Sequence, residues 1–238
     1  MVVNSSIDYP LNRAQVLDHL AHLIDTVNCD HPLRVAIDGV DASGKTFLAN
    51  ELSLELRQAG RVVIQATVDG FHNPRSIRYR RGEASPEGYF HDSFDYNSIT
   101  DRLLIPLGPG GNRCYQTAVF NYRSDQLVNA PSQFAPDDAV LLFDGIFLQR
   151  PEISGFWDLS LYVDVSVDTA LERATDRYLA RNGQAGELLD VNSLRKRYKL
   201  RYIPAQQHYS DGCHPKESAD VVIDNNDLQR PFISRSRL

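Results

Sequence analysis

Apolar side chains recur along this chain with two different periods, and the two alternate. Near-continuous apolar runs at 34–38, 61–68, 139–143, 159–165 and 219–223 have the length and content of strands buried on both faces. Between 11 and 28, apolar residues stand at Val16, Leu17, Leu20, Leu23, Ile24 and Val27, which is helical spacing. Leu48, Leu52 and Leu56 repeat it within 44–58, and Gly60 follows as a stop signal. Further helical segments at 95–105, 167–182 and 192–209 separate most of the runs.

This alternation predicts an α/β fold of three layers, with a mainly parallel five-stranded sheet between helices. The first helix, within residues 1–30, is expected to pack outside that unit. Region 106–137 breaks the pattern: it is rich in Pro, Gly and Asn, and Leu107–Asn112 reads as a tight turn before Arg113–Tyr122. A β-hairpin inserted into the core is predicted there. The tail after Asn225 is expected to be a loosely held surface segment. At 238 residues, without internal repeats, residues 1–238 read as a single domain.

Between the first core strand and its helix lies Gly39-Val40-Asp41-Ala42-Ser43-Gly44-Lys45-Thr46, a complete G-x-x-x-x-G-K-[ST] sequence. Glycines let consecutive N–H groups turn inward, and the helix N-terminus adds partial positive charge, so the loop suits an anionic polyphosphate. Gly39, Asp41, Ala42, Ser43, Gly44, Lys45 and Thr46 are therefore the candidate nucleotide-binding set. Lys45 would reach the β- and γ-phosphates, and the Thr46 hydroxyl would ligate Mg²⁺.

Two acids follow core strands in an open sheet, where strand ends face the ligand crevice. Asp69 follows 61–68 and is the candidate base that accepts a proton from an attacking hydroxyl. Asp144 follows 139–143 and is the second candidate metal residue. Each also reads as an Asp capping the turn after its strand. Arg173, Arg177 and Arg181 share one helix face at i, i+4, i+8, either as a lid that neutralises a transferring phosphoryl group or as a solvated basic face.

The net charge of −6 argues against a general nucleic-acid surface. Cys29, Cys114 and Cys213 are isolated, which indicates neither a disulfide framework nor a zinc site and suits a reducing cytoplasm. No run of 18 apolar residues occurs, so no membrane span is expected. Homo-oligomerisation is left open by composition.

Together these residues resemble the uridine kinase and phosphoribulokinase branch of P-loop kinases, from about residue 34 to 224. The resemblance is carried by Gly39–Thr46, by Asp69-Gly70-Phe71-His72 beside the family's Asp-Ser-Phe-Tyr, by Leu142-Phe143-Asp144-Gly145-Ile146 and by a lid within 168–200. It implies transfer of the ATP γ-phosphate, with Mg²⁺, to a hydroxyl of a small-molecule acceptor. Asp69 would be the base, Lys45, Arg173 and Arg177 would complete the catalytic set, and Arg181 is offset by one position from the family's Arg-Gly. Asp92, in Asp92-Ser93-Phe94-Asp95, would take the role of an acid that binds ribose hydroxyls.

Phe71, His72, Tyr115, Phe120, Tyr122 and Arg123 are the remaining acceptor-site candidates, and His91 lies nearby. The pyrimidine-reading segment of uridine kinases, Tyr-Asp-Phe-x-x-His-Ser-Arg, corresponds here to Tyr115–Arg123, where its His is absent. The implied acceptor is a uridine- or cytidine-like nucleoside. Arg75, Arg78, Arg80 and Arg81 support an alternative, an anionic alcohol such as a phosphosugar or a pantothenate-like acid. A regulatory nucleotide hydrolase is the third reading; a GTP-type switch would need Asn-Lys-x-Asp, which the chain lacks.

Overall fold

The computed structural model describes residues 12–182 and 190–238, for Arg181 and Asn182 the backbone only. Helix α1 (Arg13–Thr26) begins at a capping box in which the Asn12 side chain accepts from the Gln15 N–H and the Gln15 side chain accepts from the Asn12 N–H. Strand β1 (Leu33–Gly39) is buried throughout, and it feeds directly into the phosphate loop and α2 (Lys45–Gln58). Strand β2 (Val63–Thr67) follows.

Alternation along the buried strands sorts side chains into two cores, one on each face of the sheet. Val35 and Ile37 pack with Leu20 and Ile24 of α1 and Leu52 and Leu56 of α2. Ala36 turns to the opposite core, with Phe71, Leu103, Phe143 and Phe147. This sorting makes three layers.

Beyond β2 the chain forms three short helices, α3 (Arg75–Arg78), α4 (Pro86–Asp92) and α5 (Tyr96–Ile99), the last running into a π-turn at Thr100–Leu104. Pro86 at the first position of α4 and the Ser85 hydroxyl accepting from Gly88 N–H explain the start of that helix, for which the apolar period gave no signal. The inserted hairpin consists of two nested antiparallel ladders, β3 (Cys114–Tyr115) with β6 (Gln133–Phe134), and β4 (Phe120–Asn121) with β5 (Gln126–Leu127).

Strands β7 (Val140–Asp144) and β8 (Leu159–Asp164) return to the central sheet and flank β1 in parallel. Helix α6 (Val167–Asn182) matches its predicted span. The helix predicted over 192–209 is instead α7 (Val191–Arg197), a π-turn at Tyr198–Tyr202 and α8 (Ile203–Cys213). Pro204 has no N–H to continue the ordinary ladder, and the wider turn precedes it. Helix α9 (Pro215–Ser218) leads into β9 (Val221–Asp224).

The sheet order is β10-β9-β8-β1-β7-β2, with five parallel strands and one antiparallel edge strand, β10 (Phe232–Ser236). That sixth strand corrects the five-stranded expectation and the loosely held tail. Its alternating half-buried and exposed residues are too polar to read as a core run, but Arg235 and Arg237 donate to carbonyls of residues 216–219 and tie it down. Among the described residues, no helix is long and apolar enough to cross a membrane.

Candidate active site

The phosphate loop spans the end of β1 and the start of α2, over the carboxyl edge of the sheet. Gly39 adopts φ 149°, and a Cβ there would come within 2.4 Å of the Val163 carbonyl oxygen. Gly44, at φ 102°, caps α2 in the left-handed region that only glycine enters freely. Ser43 is fully buried and its hydroxyl has no hydrogen-bond partner, while Lys45 Nζ donates to the Val40 carbonyl at 2.6 Å. A backbone cradle with an inward lysine fits a polyphosphate.

Beside it, the Thr46 hydroxyl donates to Asp144 Oδ2 at 2.6 Å, which sets together two hard oxygens of the kind that would suit a hydrated Mg²⁺. Burial and the Asp69 charge raise the Asp144 carboxyl, against the Thr46 bond and Lys45. Burial lowers Lys45, opposed by Asp41, Asp38, Asp144 and Asp69. Four carboxylates around one ammonium favour its charged form, but burial outweighs them and its pKa lies below the ordinary lysine value.

Two adjoining lobes open above the sheet edge. A nucleotide lobe of about 620 Å³ is lined by Lys45, Thr46, Asp144, Arg173 and other loop residues. A second lobe, of about 690 Å³, is lined by Tyr79, Ser93, Tyr198 and Tyr202 with several arginines. Asp41, Asp69, His72, Tyr122, Arg123 and Arg177 are among the residues that line both. Asp69 stands in a 3₁₀ turn, Val68–Phe71, whose capping Thr67 side chain accepts from its N–H at 3.4 Å. Its carboxyl is raised by burial and then by the Asp41 charge, with Lys45, Arg177 and Arg123 opposing.

The hairpin reaches this turn through Val119 N–H, which donates to the Gly70 carbonyl at 2.9 Å. His72 is packed between Tyr122, stacked at 4.7 Å, and Phe94, edge-on at 4.6 Å, with Nδ1 3.1 Å from the Asp69 carbonyl. Burial pushes its pKa down to about 4, so near neutral pH it does not ion-pair with the Asp69 carboxylate 3.9 Å away. Arg123 Nε donates to the Tyr122 hydroxyl at 3.4 Å.

The structure does not bring Phe71, Asp92, Tyr115 or Phe120 to either lobe. Phe71 is fully buried against Phe143, with ring centroids 6.1 Å apart, because the turn that presents Asp69 to the cleft directs Phe71, two positions on, inward. Tyr115, in the base ladder of the hairpin, and Phe120, in its outer ladder, are both buried. Asp92, with only 2% of its side chain exposed, is gripped by Arg80 and by Arg81, the latter at 2.8 Å. Those bonds hold its carboxyl below the usual range. His91 faces Glu87, at 3.3 Å, rather than the cleft.

The two described lid arginines differ in their partners. Arg177 pairs with Asp41 at 3.3 Å, and Asp41 also accepts from the Tyr198 hydroxyl. Burial opposes the ionised form of Asp41, but Arg177 and Tyr198 outweigh it and its carboxyl is lowered. Arg173 donates to the carbonyls of Asn225 and Asn226 at 2.8 and 3.0 Å, and to Ser43 at 3.4 Å. The side chain of Arg181 lies outside the described residues, as do residues 183–189 of the expected lid.

Sequence reasoning missed several lining or supporting residues. Tyr79, Tyr89, Tyr198 and Tyr202 wall the second lobe, and only the i, i+4 spacing of the last pair hinted at a shared face. Asn225 Nδ2 donates to the Ser43 carbonyl at 2.7 Å and Gln206 Oε1 accepts from Asp41 N–H at 3.3 Å. Both reach the loop from more than 160 positions away, and neither sits in a motif.

A phosphate loop, an acid pair at its edge and a second lobe that shares Asp41 and Asp69 with the first define a P-loop kinase. No family model matches the chain. It is 26% identical over 201 residues to uridine-cytidine kinase B of Dictyostelium discoideum, covering 83% of this chain and 80% of that protein. It is 23% identical over 210 residues to the uridine kinase of Clostridium botulinum strain Langeland, covering 82% and 95%. A solved structure described as a possible uridine kinase of Bacillus stearothermophilus superposes with a TM-score of 0.67 at 25% identity, covering 87% of this chain and 96% of that one. The chain is thus a uridine kinase-like P-loop kinase, a phosphotransferase acting on a hydroxyl group.

Proposed function

We propose that this protein transfers the γ-phosphoryl group of ATP, bound with Mg²⁺, to a hydroxyl of a uridine- or cytidine-like nucleoside. The observation that carries this reading is Asp69, whose carboxylate lines both the nucleotide lobe and the adjoining lobe. A group in that position can accept the proton of a hydroxyl entering from one side while the oxygen attacks a phosphorus on the other. Its raised pKa makes it a better proton acceptor than an ordinary carboxylate.

The loop N–H groups and Lys45 would hold the β- and γ-phosphates, and Thr46 with Asp144 would hold the metal ion, which would offset phosphate charge. Arg177 carries positive charge to the boundary of the two lobes, where negative charge gathers during transfer. Arg173 braces the loop through the Ser43 carbonyl. Tyr122, stacked on His72, offers a flat wall suited to a nucleobase. The names of the similar proteins support the nucleoside reading, and cytoplasmic residence accords with it.

The test is ADP formation from Mg-ATP with and without uridine or cytidine. ADP release that depends on the nucleoside and yields its monophosphate is expected. Hydrolysis at the same rate without any alcohol would replace this reading with a regulatory nucleotide hydrolase.

A further inference from the structure

The acceptor lobe ends in a recess made largely of arginine, which the transfer itself does not use. Arg75, Arg197, Arg201, Tyr79, Tyr202 and Glu83 enclose a side chamber of about 50 Å³. All except Glu83 also line the acceptor lobe, and none of the six lines the nucleotide lobe. Asp69 lines both lobes. The recess is therefore remote from the donor phosphates and reachable by the far end of a molecule whose near end meets Asp69.

Arg201 is the anchored member, 3% exposed. Its Nη1 donates to the Glu83 carbonyl at 2.7 Å, with those of Gly82 and Ser85 at 3.4 and 3.3 Å. Its guanidinium lies 5.0 Å from the Tyr79 ring centre and 5.3 Å from that of Tyr89. Among the described residues no carboxylate pairs with it, nor with Arg75 or Arg197. The neighbouring arginines differ: Arg78 is paired with Asp125, and Arg80 and Arg81 with Asp92. Within one basic segment, three guanidiniums share two carboxylates, and the one that faces the recess has none among the described residues.

A buried guanidinium without a counter-charge is costly, and three forks facing one small chamber match the oxygens of a carboxylate or phosphate. Among the described residues that line the chamber, Glu83 is the one acid. We propose that this recess binds an anionic group, carboxylate or phosphate, carried by the acceptor at the end opposite its reacting hydroxyl. The acceptor class is then an alcohol of nucleoside size bearing such a group, a nucleoside with a carboxylate on its base included. This inference rests on reading the cleft as a kinase acceptor site.

The test compares ADP formation from Mg-ATP with matched pairs: uridine and orotidine, pantothenol and pantothenate, ribose and ribose 5-phosphate. In at least one pair the anionic member is expected to have a kcat/KM tenfold or more above the neutral one, and which pair responds separates carboxylate from phosphate. Arg75→Gln and Arg197→Gln, both at exposed positions, should each reduce that ratio through the acceptor KM and leave the KM for ATP unchanged. Equal use of neutral members, unaltered in both variants, would overturn the recess and leave the kinase intact. A rise in the KM for ATP instead would assign these arginines to the donor and also overturn it. ATP-dependent thermal stabilisation with no ADP formed from any alcohol would count against the kinase reading itself, and the recess proposal would fall with it.

Discussion

The hydroxyl of Thr46 donates to the carboxylate of Asp144 at 2.6 Å, joining the start of α2 to the end of β7 across 98 positions of sequence. The bond orients both oxygens before any ligand arrives. It also holds the strand edge against the phosphate loop, so the half of the site proposed to hold the metal is organised by the protein.

Thr46→Val keeps the shape of the side chain and removes one of these oxygens. The Mg²⁺ concentration for half-maximal rate should rise by about 10- to 100-fold, as it does when metal ligands or their supports are lost. Titration of activity with MgCl₂ checks it; an unchanged midpoint would place the ion elsewhere.

Asp69→Asn retains the size of the proposed base but cannot accept the proton. Turnover should fall by on the order of 10²–10⁴, with nucleotide affinity retained. In the parent enzyme a base must be ionised to act, so the rate should rise with pH along an acid limb. Because burial and the Asp41 charge raise the Asp69 carboxyl, the midpoint of that limb should lie above the ordinary carboxylate range. Asp41→Asn should move it to lower pH. A limb that persists unchanged in Asp69→Asn would show that another group supplies it.

Asp38 lies beneath the loop, 1% exposed, accepting from the Tyr209 hydroxyl and from the Gly39 N–H at 2.7 Å. Burial raises its pKa from 3.8 to about 6, with those hydrogen bonds and Lys45 opposing. The folded state therefore binds the proton more tightly than the unfolded one. Stabilisation that is full below about pH 4 is lost as pH rises to about 6, in total about 3 kcal/mol. Urea midpoints of the parent and Asp38→Asn, compared at both ends of that window, should differ by this slope. Parallel pH profiles would refute it.

Asn225→Ala removes the amide that donates to the Ser43 carbonyl at 2.7 Å. That carbonyl would keep only the longer bond from Arg173, at 3.4 Å. Loss of about 1–3 kcal/mol is expected from one buried carbonyl so weakened, expressed as a higher KM for ATP and a lower melting temperature. An effect on the acceptor KM alone would contradict the assignment.

Much of this architecture was legible from local pattern because its causes are local. Strands such as Val140–Asp144, buried on both faces, need an unbroken apolar run, and the loop from Gly39 to Thr46 needs glycine at Gly39, where a carbonyl crowds the backbone, and at Gly44, at φ 102°, while Ala42 takes φ 60° without one. Strand β10 was not legible, since an edge strand half open to water has no apolar run and is held by side-chain bonds from Arg235 and Arg237. The pairing of Asp92 with Arg80 and Arg81 was equally hidden, because a charged segment reads the same whether solvated or paired.

By itself, the amino-acid sequence determined that the chain is a layered α/β protein with a phosphate loop and two acids at strand ends, since periodicity and backbone-restricted motifs are properties of neighbouring residues. Only the tertiary structure decided which side chains meet. It turned Phe71 into the core while Asp69 faces the cleft, brought Asn225 and Gln206 to the loop, and left Arg75, Arg197 and Arg201 without carboxylate partners among the described residues around one recess. Such meetings depend on packing between distant elements, and chain separation carries no record of them.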